Sequence, residues 1–398
     1  MLATALGGLV IHVTLSGDIF LKSRRTQPRM VQRAFANLGA ALERSDLPAV
    51  VERIGRHRFR VTAPAEALAP VAEIATSVFG VASVDTMVEL PADGLDRLAD
   101  GVAARTAERV RGKTFAVRVK RRGRQSWRSL DLARRVGDRL VAAGGTVRLT
   151  DPEVVVAVQV LGRQAFVVEE HRRGPGGLPI GSQERVLSLV SGGFDSTVAA
   201  WMMMSRGCPV EFVHFSLTCA QSDHALAVAQ HLCARWGAGM APTVHVVEFQ
   251  PVKEALLELV DSRMRQISLK VLMTKAAADI ATERHISAVV TGDALGQVSS
   301  QTLPHLVAVS HAVDVPILRP LLGMPKETII DYARRVGTAQ LSARAREVCD
   351  LSGGGPVVID AGRHAIAAAV AAVPEAVMAD AVATRKTFLL SDWQPGAL

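Results

Sequence analysis

The stretch VLSLVSGGFDST at residues 186–197 decides the fold of this chain. Its first five residues are mostly apolar, which is typical of a buried parallel strand. Gly192 and Gly193 then allow a tight turn, and the small residues from Asp195 onward predict a helix. Backbone N–H groups in such a turn attract an anion, and so does the positive end of the helix dipole. We therefore predict a phosphate-binding strand, turn and helix here.

The spacing of this turn separates it from another phosphate loop. No GK[ST] sequence ends it, so it is not a Walker A loop. Residues 191–196, SGGFDS, instead resemble the SGGxDS pyrophosphate loop of ATP pyrophosphatases, which adenylate a substrate and release pyrophosphate. The resemblance implies ATP as cofactor, with Mg²⁺ bridging its phosphates and Asp195 helping to place the ion. The loop residues expected to contact ATP are Ser191, Gly192, Gly193, Asp195 and Ser196.

Length and charge indicate several domains, one of them basic. A chain of 398 residues is too long for one ordinary domain, and 49% apolar residues are enough for sizeable cores. The net charge of +8 is concentrated in one region. Residues 101–150 carry 14 lysines and arginines against three carboxylates, so the rest of the chain is slightly acidic. A localised basic patch is the footprint expected of a nucleic-acid-binding module.

The four cysteines and the apolar segments limit where the protein acts. Cys208, Cys219, Cys233 and Cys349 form no CxxC pair and match no common zinc spacing, so no metal site is predicted. We expect the first three to be structural. No signal peptide and no membrane span are predicted, since the Ala/Val-rich run 365–373 is too short to cross a bilayer. We therefore expect a cytoplasmic protein in a reducing environment.

Before the pyrophosphate loop, the pattern predicts two small domains and a linker. Strands at 9–15, 50–54 and 58–61, with a helix at 29–42, form a predicted N-terminal domain over residues 1–65. A second domain follows at 66–170. The Pro/Gly-rich segment around residues 174–179 places a linker at 171–182.

A basic strand dominates the second predicted domain. In residues 112–123, Phe115, Val117 and Val119 alternate with Arg118 and Lys120, so one face can pack while the other carries cations. The cations continue into the next loop and helix with one sign only, which favours phosphate contacts over a merely solvated face. The candidate RNA-binding residues, which include a basic edge in the first domain, are Lys22, Arg24, Lys120, Arg121, Arg122, Arg124 and Arg128.

After the loop, strands alternate with helices. Strands are predicted at 210–215, 244–249 and 288–291, with helices at 225–236 and 253–273. This order predicts an α/β fold with an open parallel sheet in a domain covering 183–355, followed by a helix and tail at 356–398. Ligands of such sheets bind beyond the carboxyl ends of the strands, where the loop, His214 and Gly292 all fall.

Three further segments make a family resemblance specific. Residues 112–123, 149–154 and 176–181 are similar to THUMP RNA-binding modules, and nearly the whole chain resembles the tRNA 4-thiouridine synthetase, or tRNA sulfurtransferase, family. The resemblance implies a ferredoxin-like N-terminal domain, a THUMP domain and an ATP pyrophosphatase domain in that order. It also implies a grip on the acceptor arm of tRNA, which suits a module that recognises RNA by shape and backbone. Family members tend to be dimers, so a homodimer is expected.

Two motifs extend the resemblance to single residues. TGDALGQVSSQT at 291–302 is similar to the family's GEALGQVxSQ, with Asp293 replacing glutamate, and residues 318–330 resemble a segment ending in KExII. The second motif gives Lys326 a role in stabilising charge as pyrophosphate leaves. The additional ATP contacts implied by the resemblance are Leu189, Val190, His214, Phe215, Lys270, Gly292 and Gln301.

Cys349 lies in the polar, Gly-rich stretch REVCDLSGGGP at 346–356. Arg344 and Arg346 would favour its thiolate. It aligns with the family's catalytic cysteine, which implies a cysteine desulfurase as persulfide donor. The sequence ends about fifty residues later, so we expect a short form without the rhodanese domain that many bacterial members carry.

These observations together predict ATP-dependent thiolation of a tRNA uridine, expected at position 8. The predicted catalytic residues are Asp195, Lys326 and Cys349. Two other functions use the same loop: another tRNA-directed pyrophosphatase, such as a 2-thiouridine or lysidine synthase, and a tRNA-binding protein whose nucleotide site is regulatory. Sulfur incorporation into tRNA separates the three.

Overall fold

The computed structural model describes residues 8–123, 125–217, 222–345, 351 and 357–396. The chain forms two compact units. The N-terminal unit comprises Met1–Gly17, Ala41–Ser77 and Val81–Gly176, and the C-terminal unit comprises Asp18–Ala40, Val78–Gly80 and Gly177–Leu398.

The described residues form strands and helices in the following order. The strands are β1 (Leu9–Leu15), β2 (Val50–Arg53), β3 (Arg58–Thr62), β4 (Val81–Pro91), β5 (Thr114–Arg122), β6 (Thr146–Val147), β7 (Val154–Leu161), β8 (Gln164–Arg173), β9 (Val186–Leu189), β10 (Val210–Ser216), β11 (Thr243–Glu248), β12 (Val289–Val290), β13 (Ile317–Leu318) and β14 (Lys386–Leu389). The helices are α1 (Gly17–Phe20), α2 (Gln27–Arg44), α3 (Leu68–Ala75), α4 (Leu95–Val110), α5 (Ser129–Ala142), α6 (Phe194–Ser205), α7 (Ser222–Trp236), α8 (Gln250–Leu259), α9 (Ser262–Glu283), α10 (Leu303–His311), α11 (Lys326–Val336), α12 (Ala339–Ser342), α13 (Arg363–Ala371) and α14 (Glu375–Ala383).

The N-terminal unit contains one eight-stranded sheet in the order β2-β3-β1-β4-β8-β7-β5-β6. Its first four strands are antiparallel, which confirms the predicted ferredoxin-like arrangement. β4 lies beyond the predicted domain boundary at residue 65 and completes that arrangement by pairing with β1. β8 begins within the predicted second domain, runs three residues into the predicted linker and pairs with β4. The two halves of the unit therefore share one continuous sheet.

The apolar core of the second half of this sheet lies under two helices. Phe115 and Val156 pack in one cluster with buried residues of α4 and α5. In α5 the buried side chains recur every four residues, at Leu132, Val136 and Leu140, so one stripe of the helix faces the strands. The cations on this helix consequently lie on its other side.

The opposite face of the same sheet is strongly curved. A second cluster there consists entirely of strand residues, with Met87, Phe166 and Val168 at its centre. Arg58 on β3 donates a 2.8 Å hydrogen bond to Gln159 on β7, although four strand steps separate them. A flat sheet would hold these strands about 19 Å apart. The sheet must therefore curl around this face, which explains how Phe166 is fully buried by strands alone.

The C-terminal unit contains a six-stranded sheet in the order β13-β12-β9-β10-β11-β14. The first five strands are parallel and β14 is antiparallel. One apolar cluster joins the sheet to α6, α7 and α11, and another joins it to α8, α9, α10, α13 and α14, so helices cover both faces. This confirms the predicted α/β class. The strand order reverses at β9, and such a switch point opens a crevice at the carboxyl ends.

Two predicted segments differ in the structure. The helix expected at 253–273 is divided into α8 and α9, because Val260 is extended and Asp261 caps a new helix by accepting from the Arg263 N–H. The residues expected to form one helix and a tail form α13, α14 and β14, which pairs with β11 at the sheet edge. The four-residue β14 is too short to leave a periodic signal.

Two observations bear on the predictions about membranes and cysteines. Among the described residues, no single helix is long and apolar enough to cross a bilayer; only α13 and α14 together pass that test, and they are bent by 74°.

Cys208 and Cys233 are both buried, and burial raises the pKa of the Cys208 thiol.

Candidate nucleotide site and basic surface

The pyrophosphate loop lies between β9 and α6, at the switch point of the sheet. Gly192 has φ +80° and lies against His224, so a Cβ there would meet the imidazole ring at 2.7 Å. A Cβ on Gly292 would meet the backbone of Asp195 and Ser196 at 2.7 Å. The positive φ favours glycine at position 192, and the close approach of two backbone segments requires it at position 292. The loop after β12 lies directly against the pyrophosphate loop, as predicted for adjacent carboxyl ends.

Hydroxyl groups hold the loop in shape. Ser196 Oγ accepts from the Ser191 N–H at 3.3 Å and contacts Ser191 Oγ at 3.2 Å. Thr197 Oγ1 donates to the carbonyl of Gly193 at 2.9 Å, and Gly193 caps α6. All of these hydrogen bonds are made by uncharged groups. An anion in the turn would therefore interact with backbone N–H groups and with the positive end of the helix dipole.

Asp195 and Lys326 are brought together from distant parts of the chain. Lys326, the first residue of α11, lies with Nζ 2.8 Å from each carboxylate oxygen of Asp195. Its ammonium group is also 5.8 Å from the centre of the Phe194 ring. The Gln297 side-chain amide donates to Asp195 Oδ2 at 2.9 Å. Two predicted catalytic residues therefore meet at the mouth of the loop, together with an amide.

Asp293 binds three side chains in the loop after β12. It accepts from Lys270 at 2.6 Å, from Thr291 at 2.8 Å and from Arg319 at 3.1 Å. Burial alone raises the pKa of Asp293, but these donors outweigh it and hold that pKa below its usual value. Lys270, predicted to contact ATP, thus has its ammonium group bound to a buried carboxylate.

His214 offers a buried acceptor at the carboxyl end of β10. Its Nδ1 is 2.9 Å from the carbonyl of Val190, so Nδ1 carries the proton and donates. Burial lowers the pKa of His214, which keeps the ring neutral, and Nε2 has no hydrogen-bond partner among the residues that the structure describes. Phe215, the next residue, packs against Phe249 on the other side of the sheet. His214 and Phe215 therefore face opposite sides of β10.

The side chains of the basic strand, β5, alternate between two faces of the sheet, as the sequence predicts. Lys120 and Arg122 are exposed on one face together with Arg118, but Arg121 is half-buried on the other. The Arg121 guanidinium donates to the carbonyl groups of Gln125 and Trp127 and so shapes the loop. Of the remaining RNA-binding candidates, Arg24 and Arg128 are exposed and Lys22 is half-buried.

Strand register adds two cations that sequence reasoning missed. Lys120 lies opposite Gln159, and Gln159 lies opposite Phe166. The ring of His12, which lies opposite Arg60, is 4.8 Å from the Phe166 ring, so these side chains share one face. Arg60 lies over the Phe166 ring at 5.9 Å, and Arg58 reaches Gln159. The periodicity of β3 alone could not show that it shares a curved face with β5.

Two arginines of the same basic region are engaged within the protein. Arg135 contacts Asp96, and Arg139 lies 2.5 Å from Asp100 and 3.2 Å from Asp96. Both carboxylates belong to α4, so these ion pairs join α5 to its neighbour. The helix therefore contributes less free positive charge than its sequence suggests.

Comparison with known proteins identifies the family. A family model described as "Thiamine biosynthesis protein (ThiI)" matches residues 181–370, and one described as "THUMP domain" matches residues 92–168. A tRNA sulfurtransferase of Desulfurococcus amylolyticus is 41% identical over 343 residues, covering 85% of this chain and 70% of that protein. The chain belongs to the tRNA sulfurtransferase family.

Other matches agree with this assignment. A probable tRNA sulfurtransferase of Aeropyrum pernix is 38% identical, covering 83% of this chain and 84% of that protein. The tRNA sulfurtransferase of Klebsiella pneumoniae is 36% identical over 87% of this chain and 72% of that protein. A 4-thiouridine synthetase solved with RNA and bound ATP superposes with a TM-score of 0.82 at 21% identity, covering 96% of this chain and all of that one. That similarity shows a shared fold.

Membership in the tRNA sulfurtransferase family gives the remaining predicted residues their context. Asp293, where the family motif has glutamate, still reaches three donors. Cys219, Cys349 and Arg124 lie outside the described residues. Leu351, two positions beyond Cys349, is described and donates its N–H to Gln266 of α9 at 3.2 Å. Gln301 Oε1 is buried without a hydrogen-bond partner in the described part of the chain.

Proposed function

We propose that the protein is an ATP-dependent tRNA uracil 4-sulfurtransferase. In this reaction O4 of a tRNA uridine, expected at position 8, attacks the α-phosphate of ATP and pyrophosphate leaves. Sulfur then replaces the activated oxygen to give 4-thiouridine. The main support for the proposal is the contact between the side chains of Asp195 and Lys326 at the pyrophosphate loop, in a member of the tRNA sulfurtransferase family.

The loop supplies the binding and the charge stabilisation that adenylation needs. Backbone N–H groups around Gly192 and the start of α6 bind the phosphates, and Lys326 stabilises the charge that develops on pyrophosphate. His214 and Gln301 each present a buried acceptor that suits a donor group such as the adenine amine.

Mg²⁺ fits the site as a companion of the nucleotide. The described residues contain no group of three or more metal-ligating side chains, so they provide no cage made of protein alone. Mg²⁺ in nucleotide sites is instead held by one or two carboxylates and the phosphates. Asp195 would hold the ion, which neutralises phosphate charge when bound.

Cys349 carries the sulfur in this proposal. A cysteine desulfurase delivers a persulfide to Cys349, and its terminal sulfur attacks C4 of the adenylated uracil as AMP leaves. An external thiol then cleaves the S–S bond and releases 4-thiouridine. The support for this role is the motif around residue 349 in a member of the sulfurtransferase family.

The N-terminal unit binds the tRNA, with the acceptor arm as the expected contact. The support for this role is the matched THUMP domain and the row of exposed cations on β5. Cations on a sheet face contact phosphates without reading bases, as recognition of helical RNA by its shape requires.

Thiolation of purified tRNA tests the proposal. Wild-type protein with a cysteine desulfurase, cysteine, ATP and Mg²⁺ should introduce 4-thiouridine, detected by near-ultraviolet absorbance and nucleoside mass. Cys349→Ser should still release pyrophosphate from ATP but give no thiolated product, and Cys208→Ser is the matched control. A different modified nucleoside, or full thiolation by Cys349→Ser, would contradict the proposal.

A further inference from the structure

The carboxylate of Asp195 is bound unequally at its two oxygens. Among the described residues, Oδ1 accepts only from Lys326, whereas Oδ2 accepts from both Lys326 and Gln297. We propose that Gln297 is a positioning residue that fixes the Asp195 carboxylate for a nucleotide-bound divalent cation. This inference rests on the proposed function only in requiring that ATP and the cation bind at the pyrophosphate loop.

The backbone around Gln297 sets the position of its amide. The Gln297 N–H donates to the carbonyl of Ala294 at 3.3 Å, and the Gly296 N–H donates to Gln301 at 2.9 Å. Both bonds close the turn that follows Asp293, whose own side chain is bound to Lys270 and Arg319. A carboxylate only accepts hydrogen bonds, so the NH₂ group of Gln297 must face Asp195. The half-buried side chain therefore has a defined place and orientation.

Lys326 cannot keep this carboxylate in place during the reaction. Its side chain is 41% exposed, and its ammonium group carries the charge that the phosphates of ATP attract. An ammonium group that remained on Asp195 would also repel an arriving cation. A neutral amide has no such conflict, because it holds Oδ2 without cancelling the negative charge.

Nucleotide binding therefore changes the contact of Asp195 with Lys326 but not its contact with Gln297. As Lys326 shifts toward the phosphates, Oδ1 loses its partner and becomes free to bind a cation. Oδ2 keeps its bond to Gln297, so the carboxylate cannot rotate away. The same amide links the loop after β12 to the pyrophosphate loop, beside the close approach at Gly292.

Removing the donor without changing the shape tests this inference. Gln297→Met has a similar volume and no N–H group. ATP binding is measured by calorimetry in Mg²⁺ and in EDTA, and the half-saturating Mg²⁺ concentration for pyrophosphate release is measured at saturating ATP. We expect affinity in EDTA to stay within about twofold, whereas the gain in affinity from Mg²⁺ falls about tenfold, the effect of one hydrogen bond to a charged group.

A neighbouring substitution provides the control. Val298→Ala changes a side chain that is 46% exposed on the same loop, and it should leave both affinities unchanged. Thermal unfolding of Gln297→Met should match that of the wild type, which shows that any loss is local.

The alternative outcomes are separable. An unchanged Mg²⁺ gain in Gln297→Met would overturn the inference, and so would an equal loss of affinity with and without Mg²⁺, which is the mark of a merely structural role. Failure of the wild type to bind ATP would instead overturn the proposed function.

Discussion

Residues of this site that a local sequence motif identifies were predictable. Residues that join the site only through the tertiary fold were not. Asp195 and Lys326 each belong to a recognisable segment, and the structure places them 2.8 Å apart. Gln297 lies in the motif TGDALGQVSSQT, but the motif gave it no role, and His224 carries no local signal because a histidine at a helix start is common. Their importance comes from what they touch, Asp195 and Gly192.

The bond pattern of Asp293 leads to a prediction about stability. Asp293→Asn leaves Lys270 and Arg319 without a carboxylate, and both side chains are mostly buried. Breaking such a buried pair should destabilise the C-terminal unit by about 3–5 kcal/mol. Chemical denaturation measures this loss. Asp331→Asn removes an exposed ion pair with Arg334 and should cost under about 1 kcal/mol; similar losses in both variants would contradict the prediction.

At the scale of elements, periodicity located strands and helices but not the shape of a sheet. The alternation in β5 correctly separated Arg118 and Lys120 from the packed face. The curl that brings Arg58 to Gln159 depends on pairings between strands distant in sequence, and a pattern within one strand holds no such information. The break between α8 and α9 was missed because Asp261 caps a helix inside an otherwise continuous helical pattern.

The curled sheet predicts a dependence of stability on pH. His12 is fully buried beside Phe166, and burial, reinforced by Arg58 and Arg60, lowers its pKa from 6.5 to about 4. Below pH 6.5 the unfolded chain takes up a proton that the folded chain does not bind until about pH 4. Stability is therefore complete at pH 7 and falls as the pH drops through this window, by about 3 kcal/mol in total.

A substitution isolates the contribution of His12. His12→Leu removes the titrating ring and two buried ring nitrogens without partners in the described part of the chain. Its free energy of unfolding should change less between pH 7 and pH 4.5 than that of the wild type. Denaturant titrations at both pH values measure the difference, and parallel losses in the two proteins would show that His12 is not the source.

At the scale of the whole molecule, the two units divide the proposed function between them. The N-terminal unit carries the exposed cations of β5, and the C-terminal unit carries the pyrophosphate loop with Asp195 and Lys326. Composition alone located the basic region, and one motif located the pyrophosphate loop. Which cations remain available to RNA depended on ion pairs between helices, which the sequence does not display.

This division predicts that RNA binding and adenylation can be lost separately. Lys120→Ala with Arg122→Ala removes two exposed cations and should weaken tRNA binding, and the slope of the salt dependence should fall by about one for each phosphate that is no longer neutralised. Asp195→Ala should abolish AMP formation and leave tRNA binding nearly intact. Filter binding at several salt concentrations and AMP formation at saturating tRNA measure the two effects.

The matched control for the RNA variant removes the same number of positive charges from the same unit. Arg135→Ala with Arg139→Ala also removes two cations, but both are paired with carboxylates of α4. If the exposed face of β5 binds RNA, this control should retain most of the affinity and the full salt dependence. Equal weakening by both double variants would mean that net charge, rather than the β5 face, attracts the tRNA. Loss of tRNA binding in Asp195→Ala would mean that the C-terminal unit holds the tRNA as well as activating it.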